Sequence, residues 1–283
     1  MNAAVVIFRH AMARQAWNLF GWAAPLFLLG FFVIPLYDVV AANAESLLKI
    51  IEGLPRQLLA FIGGLEAARK VMTPEGFLEL RYFTFMPVIL GIYAAITGSG
   101  MIAADEERGV LDLVLAQPVG RAAIFLGRFA ALIAGILVIL FVGWLGLWIG
   151  VLRAEKLDFS PGDLALPCVS ILVVTILYTT LALLLSALLP TRTSAAMFVG
   201  VYAFAGYLVT TLSRSIAGLE TVARFSVQSY FEGDIGAGFR ASPLLGLMAV
   251  AMIFAALAWL AFRDADIRVA GEGGWRWPFR FRS

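Results

Sequence analysis

The stretch ADEERGVLDLVLAQPVGR, Ala104 to Arg121, stands between two long apolar runs. It sets Asp105, Glu106, Glu107 and Asp112 beside a proline and two arginines, in a chain that is only 14% charged. Leu111, Val114 and Leu115 fall at i, i+3 and i+4, so a helix would carry them on one side. Glu107, Arg108 and Asp112 lie largely off that side. Asp105 can cap such a helix, and acids in a first turn complement the helix dipole. Gln117-Pro118 ends it, because proline disfavours helix at the residue before it. Val119-Gly120 turns the chain and Arg121 opens the next apolar run. The spacing predicts a short, capped, stiff helix, unlike a Gly/Ser tether, which would transmit little force. Two readings stay open on these residues alone. The helix is a handle that another protein grips, or an ordinary interfacial helix with a charged face.

Its surroundings decide the fold class. The chain has 283 residues, 61% of them hydrophobic, with a mean hydropathy of +0.91. A soluble core cannot absorb so much apolar surface, so a bilayer is the expected solvent. A net charge of +2 is too small to suggest a nucleic-acid partner. The single cysteine, Cys168, lies in an apolar run and excludes an internal disulfide, and the single histidine, His10, excludes a multi-histidine metal site.

A spanning helix needs about 20 apolar residues. Six runs qualify: Ala16–Ala42, Tyr82–Ala104, Ala122–Val151, Asp163–Leu189, Ser194–Leu212 and Pro243–Phe262. The expected fold is an all-α membrane protein of six transmembrane helices. Both termini are cytosolic, and the Asp105–Arg121 segment is a cytosolic helix between spans two and three. Pro25, Pro35, Pro87 and Pro167 fall within runs, which membrane helices tolerate where neighbours satisfy the freed carbonyls. Arg9, Arg14 and the small residues Ala41–Ala44 resemble a cleavable signal, but the apolar run is longer than the ~7–15 residues of a signal core. Basic residues divide almost evenly between the two sides. The inner segments are the shorter ones, which favours this orientation.

The middles of all six runs lack Asp, Glu, Lys and Arg. Ion-coupled transporters usually keep an ionisable group at mid-membrane, so this pattern argues against one. The polar side chains available there include Thr97, Thr175, Tyr178, Thr179 and Tyr202. They suit hydrogen bonding between helices, or a mildly polar path for an amphiphilic substrate. Gly143, Gly146 and Gly150 form a small-residue row on span three, the usual mark of close helix approach. The row does not say whether the partner lies in this chain or in a second copy.

One permease domain, residues 1–283, accounts for the whole chain. Within it, 1–15 reads as an interfacial segment and 43–81 as an outer amphipathic segment, with Thr73-Pro74-Glu75 a helix start. The coupling segment is 105–121. The tail 263–283 interleaves arginines with Trp275, Trp277, Phe279 and Phe281. Anionic headgroups would hold that tail at about 1 kcal/mol per basic residue.

A P-loop needs Gly-x-x-x-x-Gly-Lys-Ser/Thr. Lys49, Lys70 and Lys156 follow Leu48, Arg69 and Glu155, so no P-loop exists in this sequence.

Glu107, Gly109, Val110, Leu111, Asp112, Leu113, Leu115, Pro118 and Arg121 together resemble the signature of the type-2 ABC exporter permeases. Val110 replaces the more frequent threonine. "FRDADI", Phe262–Ile267, is similar to the family's closing motif, with Ala265 and Asp266 as departures. The resemblance implies a membrane subunit of an ATP-driven exporter that moves an apolar or amphiphilic substrate and is not itself an enzyme. It implies two ABC ATPase subunits holding ATP and Mg, a second permease chain, identical or homologous, and lipid around the spans. It places the protein as multi-pass in the inner, cytoplasmic membrane. Glu106, Glu107, Gly109, Leu111, Asp112, Leu115, Pro118 and Arg121 would couple to the ATPase, with Pro190 and Arg192 a second cytosolic contact. Ser213–Ser242 would dip back into the outer leaflet as short helices, although a plain loop also fits its composition. A lipid-acting membrane enzyme and a non-transporting scaffold are the alternatives, and the adjacent acids Asp105–Glu107 suit an enzyme poorly because they point apart on a helix.

Overall fold

The computed structural model describes residues 3–53, 69–107, 119–189, 191–213, 218–231, 235 and 241–263, at 102 and 105–107 by backbone alone. Six helical segments are long and apolar enough to cross a membrane. Their main helices are α1 (Ala3–Val33), α2 (Met86–Glu107), α3 (Arg121–Arg153), α4 (Pro161–Leu188), α5 (Arg192–Leu212) and α6 (Ala241–Arg263). Among the described residues there are no strands. This is the expected all-α, six-span architecture.

Several ends follow from short local signals. α4 begins two residues before the expected Asp163. Ser160 Oγ accepts from Asp163 N at 3.2 Å and Asp163 Oδ2 accepts from Ser160 N at 2.9 Å, with Pro161 at the first helical position. This reciprocal capping box lies in Ser-Pro-Gly-Asp, Ser160 to Asp163, and sets the helix start. Thr73 caps the helix Pro74–Leu78 by accepting from Gly76 N at 3.2 Å, as its sequence predicts. α1 starts at Ala3, well before the expected span start at Ala16, and accommodates Pro25. It turns at Ile34–Pro35 and resumes as Leu36–Ala42.

α4 is the central post, packed against α2, α3, α5 and α6, while α1 lies along α3. Contacts at glycines show the directions. A Cβ on Gly127 would meet Ala4 O at 2.7 Å, one on Gly135 would meet Leu19 Cδ2 at 3.0 Å, and one on Gly143 would meet Leu26 Cβ at 3.4 Å. α1 and α3 therefore run parallel. Arg192, at the start of α5, meets Gly100 near the end of α2, whereas Ala203 meets Gly91. α2 and α5 therefore run antiparallel. Both relations are those of a chain that crosses the bilayer once per helix.

The open question of the glycine row is answered inside the chain. Gly146 and Gly150 face Phe27 and Gly30 of α1 backbone to backbone, and a Cβ on Gly30 would lie 2.5 Å from Leu147 N. Lipid tails offer no hydrophobic drive for helix pairing, so such contact supplies dispersion that bulkier residues would prevent. The apolar run before Ala41–Ala44 is thus the bed of α3, a packed helix of the bundle.

At the bundle end formed by the close of α1 and α3, Asp38 reaches the loop after α3. Its two carboxylate oxygens accept from Glu155 N and Lys156 N, each at 2.9 Å. Asp38→Ala is expected to lower stability by about 1–2 kcal/mol, and Asp38→Asn by roughly half as much, because the amide retains one acceptor oxygen. Thermal midpoints of the purified chain read both.

Candidate coupling face

At the opposite end of the bundle lie the close of α2, the start of α3, the start of α5 and the close of α6. The expected coupling segment leaves α2 and re-enters α3 on this face. Residues 108–118, with Gly109, Leu111, Asp112, Leu115 and Pro118, lie outside the described residues, as does Pro190. Asp105, Glu106 and Glu107 are the last residues of α2. Asp105 therefore continues a helix instead of capping a new one.

Cations come to this face from other helices. Arg128 Nη1 of α3 donates to Met101 O of α2 at 2.9 Å. Arg121 Nη1 donates to Arg263 O at 2.8 Å and Phe262 O at 3.3 Å, at the close of α6. Arg192 Nη2 donates to Ile96 O of α2 at 3.2 Å. Each guanidinium thus bonds a main-chain carbonyl of a neighbouring helix, and Ile96 O and Met101 O lie inside α2 instead of in its last turn. Gly100 makes room for Arg192, since a Cβ there would lie 3.0 Å from the guanidinium carbon. Thr191 caps α5 by accepting from Ser194 N at 3.1 Å. Arg121 thus opens α3 and ties it to α6, and Arg192 ties the start of α5 to α2.

Below these arginines the face is packed by aromatic rings. Phe125 stands 5.2 Å from Trp259 and 6.0 Å from Phe262, centroid to centroid. Met101, Ile124, Leu132, Leu183 and Ala258 join them in one buried cluster, with Ile7 against it. Five helices therefore meet directly under the ends of the segment 108–118. Gly98 and Gly100, in Thr97-Gly98-Ser99-Gly100, were the sequence signal for the close approach of α2 to α4 and α5. Sequence reasoning treated only Thr97 there, as a polar group.

The other polar candidates lie deeper. Thr175 and Thr179 are fully buried and donate to Ile171 O at 2.7 Å and Thr175 O at 2.8 Å, within α4 itself. Thr97 Oγ1 donates to Tyr93 O at 2.8 Å in the same manner. Tyr178 is buried and its ring meets that of Tyr202 edge to face at 6.1 Å. The Tyr202 hydroxyl donates to Phe225 O at 2.8 Å. The threonine hydroxyls thus bond their own helix one turn back, which is how a polar group is satisfied in hydrocarbon without a partner helix.

The segment after α5 returns toward the bundle. Short helical turns at Glu220–Ala223 and Val227–Tyr230 flank Ser226, whose hydroxyl accepts from Thr210 Oγ1 of α5 at 3.1 Å. The described residues 218–231 carry these two short turns and pack beside α5.

A comparison with curated proteins gave no match. The family model described as ABC-2 family transporter protein matches residues 21–267, from within α1 to beyond the end of α6. A match over that length agrees with the six apolar helices, and the chain belongs to the ABC-2 family of transporter proteins as a multi-pass membrane subunit that works with ABC ATPase subunits.

Proposed function

We propose that this chain is the membrane subunit of an ATP-driven exporter in the inner, cytoplasmic membrane, with the arginine-tied face and both termini in the cytosol. Two permease chains, identical or homologous, pair with two ATPase subunits that hold ATP and Mg. The segment 108–118 seats in the ATPase. Glu106, Glu107, Gly109, Leu111, Asp112, Leu115, Pro118 and Arg121 make or support that contact, with Pro190 and Arg192 beside it.

The observation that carries this reading is mechanical. Both ends of the segment are anchored, through Arg128 on Met101 O and Arg121 on Arg263 O. Both anchors sit on one aromatic cluster shared by five helices. A push on the segment therefore moves α2, α3 and α6 together. The cargo is apolar or amphiphilic, in keeping with uncharged span interiors. Thr97, Thr175, Tyr178, Thr179 and Tyr202 would line its path when α2 and α4 separate.

Glu107→Ala is expected to lower ATP-driven transport in vesicles about ten-fold, equal to roughly 1.4 kcal/mol of lost coupling, while the chain still inserts and co-purifies with its ATPase. Undiminished transport by a correctly inserted variant would remove Glu107 from the coupling contact.

A further inference from the structure

The segment after α5 roofs a cavity of about 420 Å³ between α4, α5 and α6. Its lining includes Leu177 and Leu181 of α4, Tyr202 of α5, Leu247, Val250 and Phe254 of α6, and Arg224 from the segment after α5. Among the described residues that line it, Arg224 alone carries charge. The volume falls within the ~300–1,000 Å³ of small-molecule sites.

Depth makes the arginine informative. Gly206 touches Ser226, since a Cβ on it would lie 2.7 Å from Ser226 Oγ. Gly206 precedes the end of α5 at Leu212 by nearly two turns, roughly 9 Å at ~1.5 Å per residue. Arg224, two residues from Ser226, therefore belongs to a segment that descends beside the spans. Val222 and Phe225 next to it are exposed apolar side chains, Phe225 at 80%, so this part of the segment faces hydrocarbon. A cation at such depth is costly unless an anion meets it. Among the described residues no acidic side chain lies in the cavity wall.

We propose that the cavity is a seat for one anionic phospholipid of the bilayer leaflet on this side. The phosphate rests on the Arg224 guanidinium, and an acyl chain runs down the apolar wall toward mid-membrane. The chain would cover Leu247, Val250 and Phe254 and hold the 220–230 segment against α5 and α6. This site is separate from the coupling face, and its failure would leave the transport reading intact.

Native mass spectrometry of the detergent-purified full chain, incubated with equal phosphatidylglycerol and phosphatidylcholine, tests the seat. The wild-type chain is expected to retain the anionic lipid about five-fold over the zwitterionic one, as one basic residue near a lipid surface implies. Arg224→Gln, at an exposed position, should bring that ratio close to one. Val250→Trp, which fills the cavity, should reduce retention of both lipids. Should Val250→Trp fail to fold, a photoreactive acyl chain on the wild-type protein replaces it, and its crosslinks must fall on Leu247, Val250 or Phe254. An equal affinity for both lipids, a preference that survives Arg224→Gln, retention unchanged by Val250→Trp, or crosslinks elsewhere would each overturn the proposal.

Discussion

Gly146→Leu is expected to abolish most of the folded yield of the chain, whereas Gly200→Ala leaves it unchanged. At Gly146 the first added carbon already meets backbone, with Phe27 Cα 2.6 Å and Phe27 C 2.8 Å away. Backbone cannot rotate aside as a side chain can, so α1 and α3 must move apart. Separation undoes neighbouring close contacts at Gly30 and Gly150 at the same time. Overpacking a side-chain core costs about 1–3 kcal/mol. Splitting a backbone interface should exceed about 3 kcal/mol, a large share of a typical ~5–15 kcal/mol total. Gly200 lies on α5 with nothing within 4 Å of an added carbon, so alanine there should be neutral, or stabilising by up to about 1 kcal/mol through helix propensity. The monodisperse fraction on size exclusion and the thermal midpoint separate the two. A folded Gly146→Leu protein of normal stability would mean that α1 does not pack on α3 in this way.

The second large effect concerns the arginine that reaches across to α2. Arg192→Ala removes the donor to Ile96 O and is expected to cost about 2 kcal/mol, the middle of the range for hydrogen bonds to charged groups. Gly100→Leu should cost a similar amount by a different route. Its side chain enters the space held by the guanidinium, which is the mobile end of a long side chain and swings away. The double variant should then be no worse than Arg192→Ala alone, because the space is already empty. Residues in contact deviate from additivity by about 0.5–3 kcal/mol, whereas distant sites add. Thermal midpoints of the two single variants and the double variant complete the cycle. Strict additivity would show that Arg192 and Gly100 act independently.

The Arg192 contact is one of three that tie the candidate coupling face together. Arg192 and Arg121 open α5 and α3 and Arg128 follows two turns into α3, and their acceptors are Ile96 O in the middle of α2, Met101 O further along it, and Arg263 O on α6. Arginine suits the task because its guanidinium stays charged and offers several donors in a fixed fork. The arginines therefore link helices that have little direct contact, as α2 and α3 do.

The sequence alone determined that six apolar helices cross a membrane, that the chain contains no P-loop, and that an acidic segment punctuates spans two and three. Those properties depend on run length, on residue chemistry and on spacing along one helix, all of which are local. It also showed that glycines on α3 allow close approach. It could not say to what, since Gly146 is equally free to meet this chain or another. Only the tertiary structure paired α3 with α1, placed Arg192 over Gly100, and folded the segment around Ser226 down beside Gly206. Each of those pairings joins residues far apart in the chain, and nothing in the spacing of either partner records the other. In hydrocarbon the choice among apolar faces rests on backbone fit and on which carbonyl each guanidinium can reach, and these arise only when the helices are assembled.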